Sequence, residues 1–120
     1  MQISLFEALV MTHFIVDWIF QWRWETMNKS KKLAPLLFHS GVYSLGFIPV
    51  FLIYNIHFSW LILLFFSHVF LDSRKFEIWL LEKFKGVKRR EIPECLWWIL
   101  LIGIDQILHI TVLAILVIFN

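Results

Sequence analysis

A single cysteine, Cys95, is all the thiol chemistry the sequence offers. One thiol excludes an internal disulfide and cannot supply a thiolate pair to a metal, which leaves Cys95 as a small apolar residue near an interface. Low-complexity tracts and repeats of solenoid type are missing too. Polar surface is scarce. Of 120 residues, 60% are apolar and 18% aromatic, and the mean hydropathy is strongly positive. A water-soluble domain of this size needs a larger polar fraction to cover itself. The composition points to a bilayer as the solvent of a single domain over 1–120.

The apolar residues are bunched. A helix needs about 20 mostly apolar residues to cross about 30 Å of hydrocarbon, and four segments are expected to do so: 3–22, 35–56, 58–80 and 95–119. Asp72, Arg74, Lys75 and Glu77 interrupt the third. Its helix is expected to leave the membrane early and continue along the interface, where Phe76, Trp79, Leu80 and Phe84 recur at helical spacing. The predicted fold is therefore all-α: a polytopic membrane protein with four transmembrane helices in a bundle and an interfacial helical extension. A soluble helical bundle is the competing reading, and the almost uniformly apolar fourth segment argues against it. The first segment has neither a basic n-region nor a small-residue cleavage site, so it reads as a span rather than a signal peptide. Ser30 and Pro35 precede the second span and Pro93 opens the fourth. Pro49, with Gly46, is expected to kink the second.

Basic residues are absent from both chain ends and from the Asn55–His57 turn. All eleven lie in two stretches: Arg23, Lys29, Lys31 and Lys32, then Arg74, Lys75, Lys83, Lys85, Lys88, Arg89 and Arg90. By the positive-inside rule both stretches are cytoplasmic and both termini face outward. The net charge of +2 is thus a topology signal, and no nucleic-acid partner is expected. The basic run 85–90 suits anionic lipid head groups, and Trp22, Trp24, Trp79, Trp97 and Trp98 suit an aromatic belt at the same boundary.

Against this background the stretch HFIVDWIFQ stands out, because His13, Asp17 and Gln21 are spaced four apart and share one helical face. His68 and Asp72 repeat the spacing, and Asp105 and His109 reverse its order, with Gln106 beside the carboxylate. His39 opens the second span, with Tyr43 four residues on. An ionised carboxylate at the bilayer centre costs roughly 2.5–3.5 kcal/mol on the insertion scale, whereas polar contacts between membrane helices average only ~0.6 kcal/mol. Three His–Asp pairs and a further histidine are more than structural contacts explain. All four spans can reach one site in the cytoplasmic half of the bundle.

Histidine and aspartate without sulfur form a ligand set for Zn²⁺, with Mn²⁺ or iron as alternatives. The expected ligands are His13, Asp17, His39, His68, Asp72, Asp105 and His109. Seven exceed the needs of one catalytic zinc, so either two ions share the site or one ion leaves an aspartate free to act as base. Asp17 and Asp72 are the expected catalytic bases. Gln21, Asn28, Lys29, Tyr43 and Gln106 are expected to orient the ligands or to meet a substrate head group. Glu7 and His57 lie toward the outer face and are expected to stay outside the site.

The order H-x3-D-x3-Q, N-K-S, a lone His in the second span, H-x3-D and D-Q-x2-H resembles the domain of unknown function 3307 family, at His13, Asp17, Gln21, Asn28, Lys29, Ser30, His39, His68, Asp72, Asp105, Gln106 and His109. The resemblance covers nearly the whole chain. It implies a small integral membrane protein of bacteria or phages, hence the bacterial cytoplasmic membrane. The chain is also similar, more distantly, to the inner-membrane metal-dependent hydrolases, which implies metal-assisted hydrolysis.

The leading expectation is a metal-dependent hydrolase acting on a lipid or other amphiphile from the cytoplasmic leaflet. A bound metal lowers the pKa of water from about 15.7 to about 7, and a spare aspartate takes the proton. Two alternatives belong to other classes. One is a metal- or proton-handling protein, for transport or relay, which needs polar residues across the full thickness; the apolar stretches Val112–Phe119 and Phe47–Ile53 oppose it, although an oligomer would offer another path. The other is a non-catalytic membrane regulator with a structural metal.

Overall fold

The computed structural model describes residues 2–120, and they are helical with no β-strand. Helix α1, Leu5–Phe14, starts on a capping box in which Ser4 and Glu7 bond reciprocally. It runs directly into a π-helical turn, Ile15–Ile19. After a break come the short α2, Arg23–Asn28, and then α3, Leu33–Leu45, and α4, Ile48–Tyr54. Helices α5, Ser59–Asp72, and α6, Lys75–Trp79, follow, the latter extended by a second π turn, Leu80–Phe84. A 3₁₀ turn, Arg89–Glu91, leads to α7, Glu94–Phe119.

The kink expected in the second segment separates α3 from α4. Pro49 has no N–H to give the Leu45 carbonyl, and Phe47 N bonds instead three residues back to Ser44 O. The bend lets the first helix come close. A Cβ on Gly46 would stand 2.5 Å from Val16 Cγ2, a distance no side chain tolerates.

Two helical stretches, Leu33–Tyr54 and Glu94–Phe119, are long and apolar enough to cross a membrane. The first and third segments are shorter than their composition predicts. The first ends at Ile19, where Phe20 N closes the π turn on Ile15 O, and Trp22 then turns extended to cap α2. The third ends at Asp72. There Arg74 N bonds Leu71 O and the Ser73 hydroxyl donates to Phe70 O. Arg74 itself sits in the left-handed region at φ 61°, an uncommon conformation for a side-chain-bearing residue. The helix expected beyond the third segment is present as α6 and its extension, which bury Glu77 and Leu81 and expose Trp79 and Phe84.

Packing is layered along α7. Trp97 and Leu101 join Leu81 in a small apolar cluster. Asp105 and His109 follow on the same face, both buried. Leu113 and Leu116 then enter the main core with Leu9, Val16, Phe47, Phe51 and Leu64. A polar layer thus lies between two apolar ones.

Candidate metal centre

The polar layer draws on every long helical stretch. The π turn after α1 supplies Asp17, α3 supplies His39, α5 supplies His68 and Asp72, and α7 supplies Asp105 and His109. All six are buried. Asp17, His39, His68 and Asp72 each present a ligand atom, the four lying within 4.8 Å of one another. His39 Nε2 is 3.0 Å from Asp17 Oδ1 and 3.4 Å from Asp72 Oδ2. His68 Nε2 is 3.3 Å from Asp72 Oδ2 and 3.7 Å from Asp17 Oδ1. A π turn at a functional position is a recurrent device; here it carries Asp17.

Hydrogen-bond accounting fixes the tautomers. His109 Nδ1 lies 2.8 Å from the Asp105 carbonyl oxygen, which only accepts, so Nδ1 carries a proton. With both rings neutral, His109 accepts at Nε2, and its partner there, His68 Nδ1 at 2.9 Å, must donate. His68 Nε2 is left as a bare lone pair facing two carboxylates, with no hydrogen-bond partner. Lone pairs gathered like this repel unless a positive charge, a proton or a metal ion, lies among them. Lys29 supplies one such charge, its ammonium 2.5 Å from Asp72 Oδ2 and 3.8 Å from Asp17 Oδ1. Two carboxylates against one ammonium leave one negative charge. The donor set of two imidazoles and two carboxylates fits a divalent metal.

His13, expected as a ligand, is not brought to this group. Gln106 Oε1, 2.9 Å from His13 Nε2, only accepts, so that nitrogen donates, and Nδ1 accepts from the Tyr43 hydroxyl at 3.0 Å. Gln106 Nε2 in turn donates to Asp105 Oδ2 at 3.0 Å and Asp17 Oδ2 at 3.4 Å. Tyr43, His13 and Gln106 thereby form one directed chain ending on two carboxylates. Tyr43 also stacks on His68, ring centroids 3.7 Å apart. Asn28 bonds back to the Trp24 carbonyl and does not reach the site. Glu7 caps α1, and His57 bonds Ser59 at the surface. Gln21 lines, with Asp17, Lys29, Arg74, Asp105 and Gln106, a cavity of about 300 Å³ beside the cluster.

Two buried acids in the site escaped the sequence reading. Glu25, fully buried, holds its Oε1 3.4 Å from His39 Nδ1, neither atom having a hydrogen-bond partner; its Oε2 accepts from Trp22 N. With His39 Nε2 toward the cluster and Nδ1 toward a carboxylate, the arrangement is that of an oriented metal-ligating histidine. The second acid, Glu77, is also fully buried. Both sit among basic and aromatic neighbours that read as a solvated loop. One signal was available for Glu77: Leu81, four residues on, is an apolar residue on the same helical face. Glu25→Gln is expected to weaken divalent-metal binding about 10–100-fold, measured by competition with a chelator of known affinity. Unchanged binding would remove Glu25 from the site.

The chain matches the family described as Protein of unknown function (DUF3307) over residues 5–120, and so belongs to it. No curated protein and no solved structure matches it.

Proposed function

We propose that this protein is a multi-pass metalloenzyme of the bacterial cytoplasmic membrane that hydrolyses a bond in a lipid or other amphiphile. The membrane reading is supported by the apolar exterior: Ile53 is 76% and Ile118 73% exposed, among many large exposed apolar side chains that a soluble monomer rarely shows as contiguous surface. The longest dimension, 47 Å, is close to a bilayer with its head groups, about 40–45 Å. In this reading the first and third helices cross beside the two longer ones, and the basic stretches set both termini outside.

The observation that carries the catalytic reading is the cavity. It opens beside the His–Asp cluster and is walled by both cations of that region, Lys29 and Arg74, and by two amides, Gln21 and Gln106. Zinc is the first choice of metal, with manganese or iron as alternatives. When bound, the metal supplies Lewis acidity to water and to the scissile group. Asp17 borders both cluster and cavity, and it takes the proton of the attacking water. Gln106 holds Asp17 in place through its amide N–H, backed by His13 and Tyr43. Arg74 binds the oxygen on which negative charge develops. Conduction across the protein finds no support, because the core beyond the polar layer is closed by Leu9, Phe47, Leu64 and Leu113, all 1% exposed or less.

The test is turnover of a broad lipid panel by purified protein, metal-replete and chelated. Metal-dependent release of product, abolished by Asp17→Asn, is expected. If a metal-replete sample processes no lipid, the hydrolase reading falls.

A further inference from the structure

The two oxygens of Asp72 face different company. Oδ2 belongs to the group with Asp17, His39 and His68, and it also takes the Lys29 ammonium. Oδ1 lies on the other side, 3.6 Å from His109 Nε2. There Asp72, Asp105 and His109 each present a ligand atom within 4.8 Å of one another.

Two further observations show that this second group lacks a positive partner. Asp105 Oδ1 is buried and has no hydrogen-bond partner; its nearest approach is 3.5 Å, to His109 Nδ1, whose proton is already given to the Asp105 carbonyl. Glu77 is fully buried, and both its carboxylate oxygens lack partners. Asp105, His109 and Asp72 are near enough for their charges to act on it, though it stands outside the 4.8 Å group those three form. A buried carboxylate without a counter-charge costs several kcal/mol. Asp105 and Glu77 are two of them: among the described residues no lysine or arginine forms an ion pair with either, whereas Asp72 has Lys29. Arg74 is close enough to act on Asp105 but does not pair with it.

We propose that this group binds a second divalent cation, with Asp72 as the carboxylate bridging two ions, Asp105 as a ligand, His109 ligating through Nε2 in exchange for its hydrogen bond from His68, and Glu77 adding negative charge nearby. The inference rests on the reading that the first group holds a metal. The two sites differ in chemistry. The first offers two imidazoles and two carboxylates; the second is richer in oxygen and favours the harder cations, Mn²⁺ or Mg²⁺ over Zn²⁺. Paired ions joined in this way commonly clamp the attacking and leaving oxygens of a phosphoryl or acyl substrate, and the cavity borders both sites through Asp17 and Asp105.

Metal content separates the possibilities without any activity assay. Full-length protein purified in detergent is loaded with Mn²⁺, desalted and analysed for manganese per chain and for its electron paramagnetic resonance spectrum. Two ions per chain with an exchange-coupled signal are expected. Glu77→Gln and Asp105→Asn should each lower the content to one ion with the spectrum of an isolated Mn²⁺, and Asp17→Asn should remove the other. One ion in the unaltered protein, with content unchanged in Glu77→Gln, overturns the second site and leaves the first standing. Two ions that neither Glu77→Gln nor Asp105→Asn reduces also overturn it. No bound manganese, zinc or iron at all overturns both sites. The unaltered protein decides the count, so a variant that fails to fold cannot mask the answer.

Discussion

Replacing Asp72 by asparagine is expected to empty the centre of metal and to destabilise the metal-free protein by about 3–5 kcal/mol, the cost of stripping one partner from a buried ion pair. Asp72 carries the closest contact to Lys29 and also faces His39, His68 and His109. An amide keeps the shape but cancels the charge on which all four converge. Metal content by elemental analysis and thermal unfolding in detergent check the two halves. Asp17→Asn is the companion variant. It leaves the Lys29–Asp72 pair intact, so the fold should hold while the first ion is lost. Unfolding of Asp17→Asn even with metal present would instead favour a purely structural role for the cluster.

The second large effect is expected from Lys29→Met. Lys29 is the only lysine or arginine ion-paired with these carboxylates among the described residues, and it sits against the atoms that would ligate the first ion. Methionine preserves much of the apolar stem and removes the charge. Metal-free Lys29→Met should be strongly destabilised, again by about 3–5 kcal/mol, because Asp17 and Asp72, whose ligand atoms lie within 4.8 Å of each other, then lose the one ammonium that offsets their repulsion. Divalent cation should restore it. The rise in melting temperature on adding metal should exceed that of the unaltered protein, since no tethered ammonium needs to be displaced; a ligand at 100 times its Kd contributes about 2.7 kcal/mol. An equal or smaller rise would mean that Lys29 does not share the ion's position.

Much of the centre was legible in the sequence because its members break an apolar background. His39, His68, Asp17, Asp72, Asp105 and His109 needed no structure to be noticed, and the i, i+4 spacing of His68 with Asp72 and of Asp105 with His109 is seen as contact. Legibility failed where the helix departs from 3.6 residues per turn. Asp17 lies in the π turn at Ile15–Ile19 and meets His39, whereas His13 precedes it and meets Tyr43, the two sharing only Gln106. Apolar content also fixed the helical class but not the lengths. Nothing in the composition of 58–80 marks Arg74 as the residue that adopts a left-handed conformation and ends the helix. Glu25 and Glu77 escaped for a different reason. Their charge is ordinary for an interfacial stretch, and only the three-dimensional packing shows that neither touches solvent.

The layering seen along α7 makes the chamber a blind alley. Leu113 and Leu116 belong to the buried apolar core beyond the polar layer, so anything entering past Lys29 and Arg74 must retreat the same way. A head group lodged in that mouth would act as a stopper, trapping the cations beneath it until the head group departs.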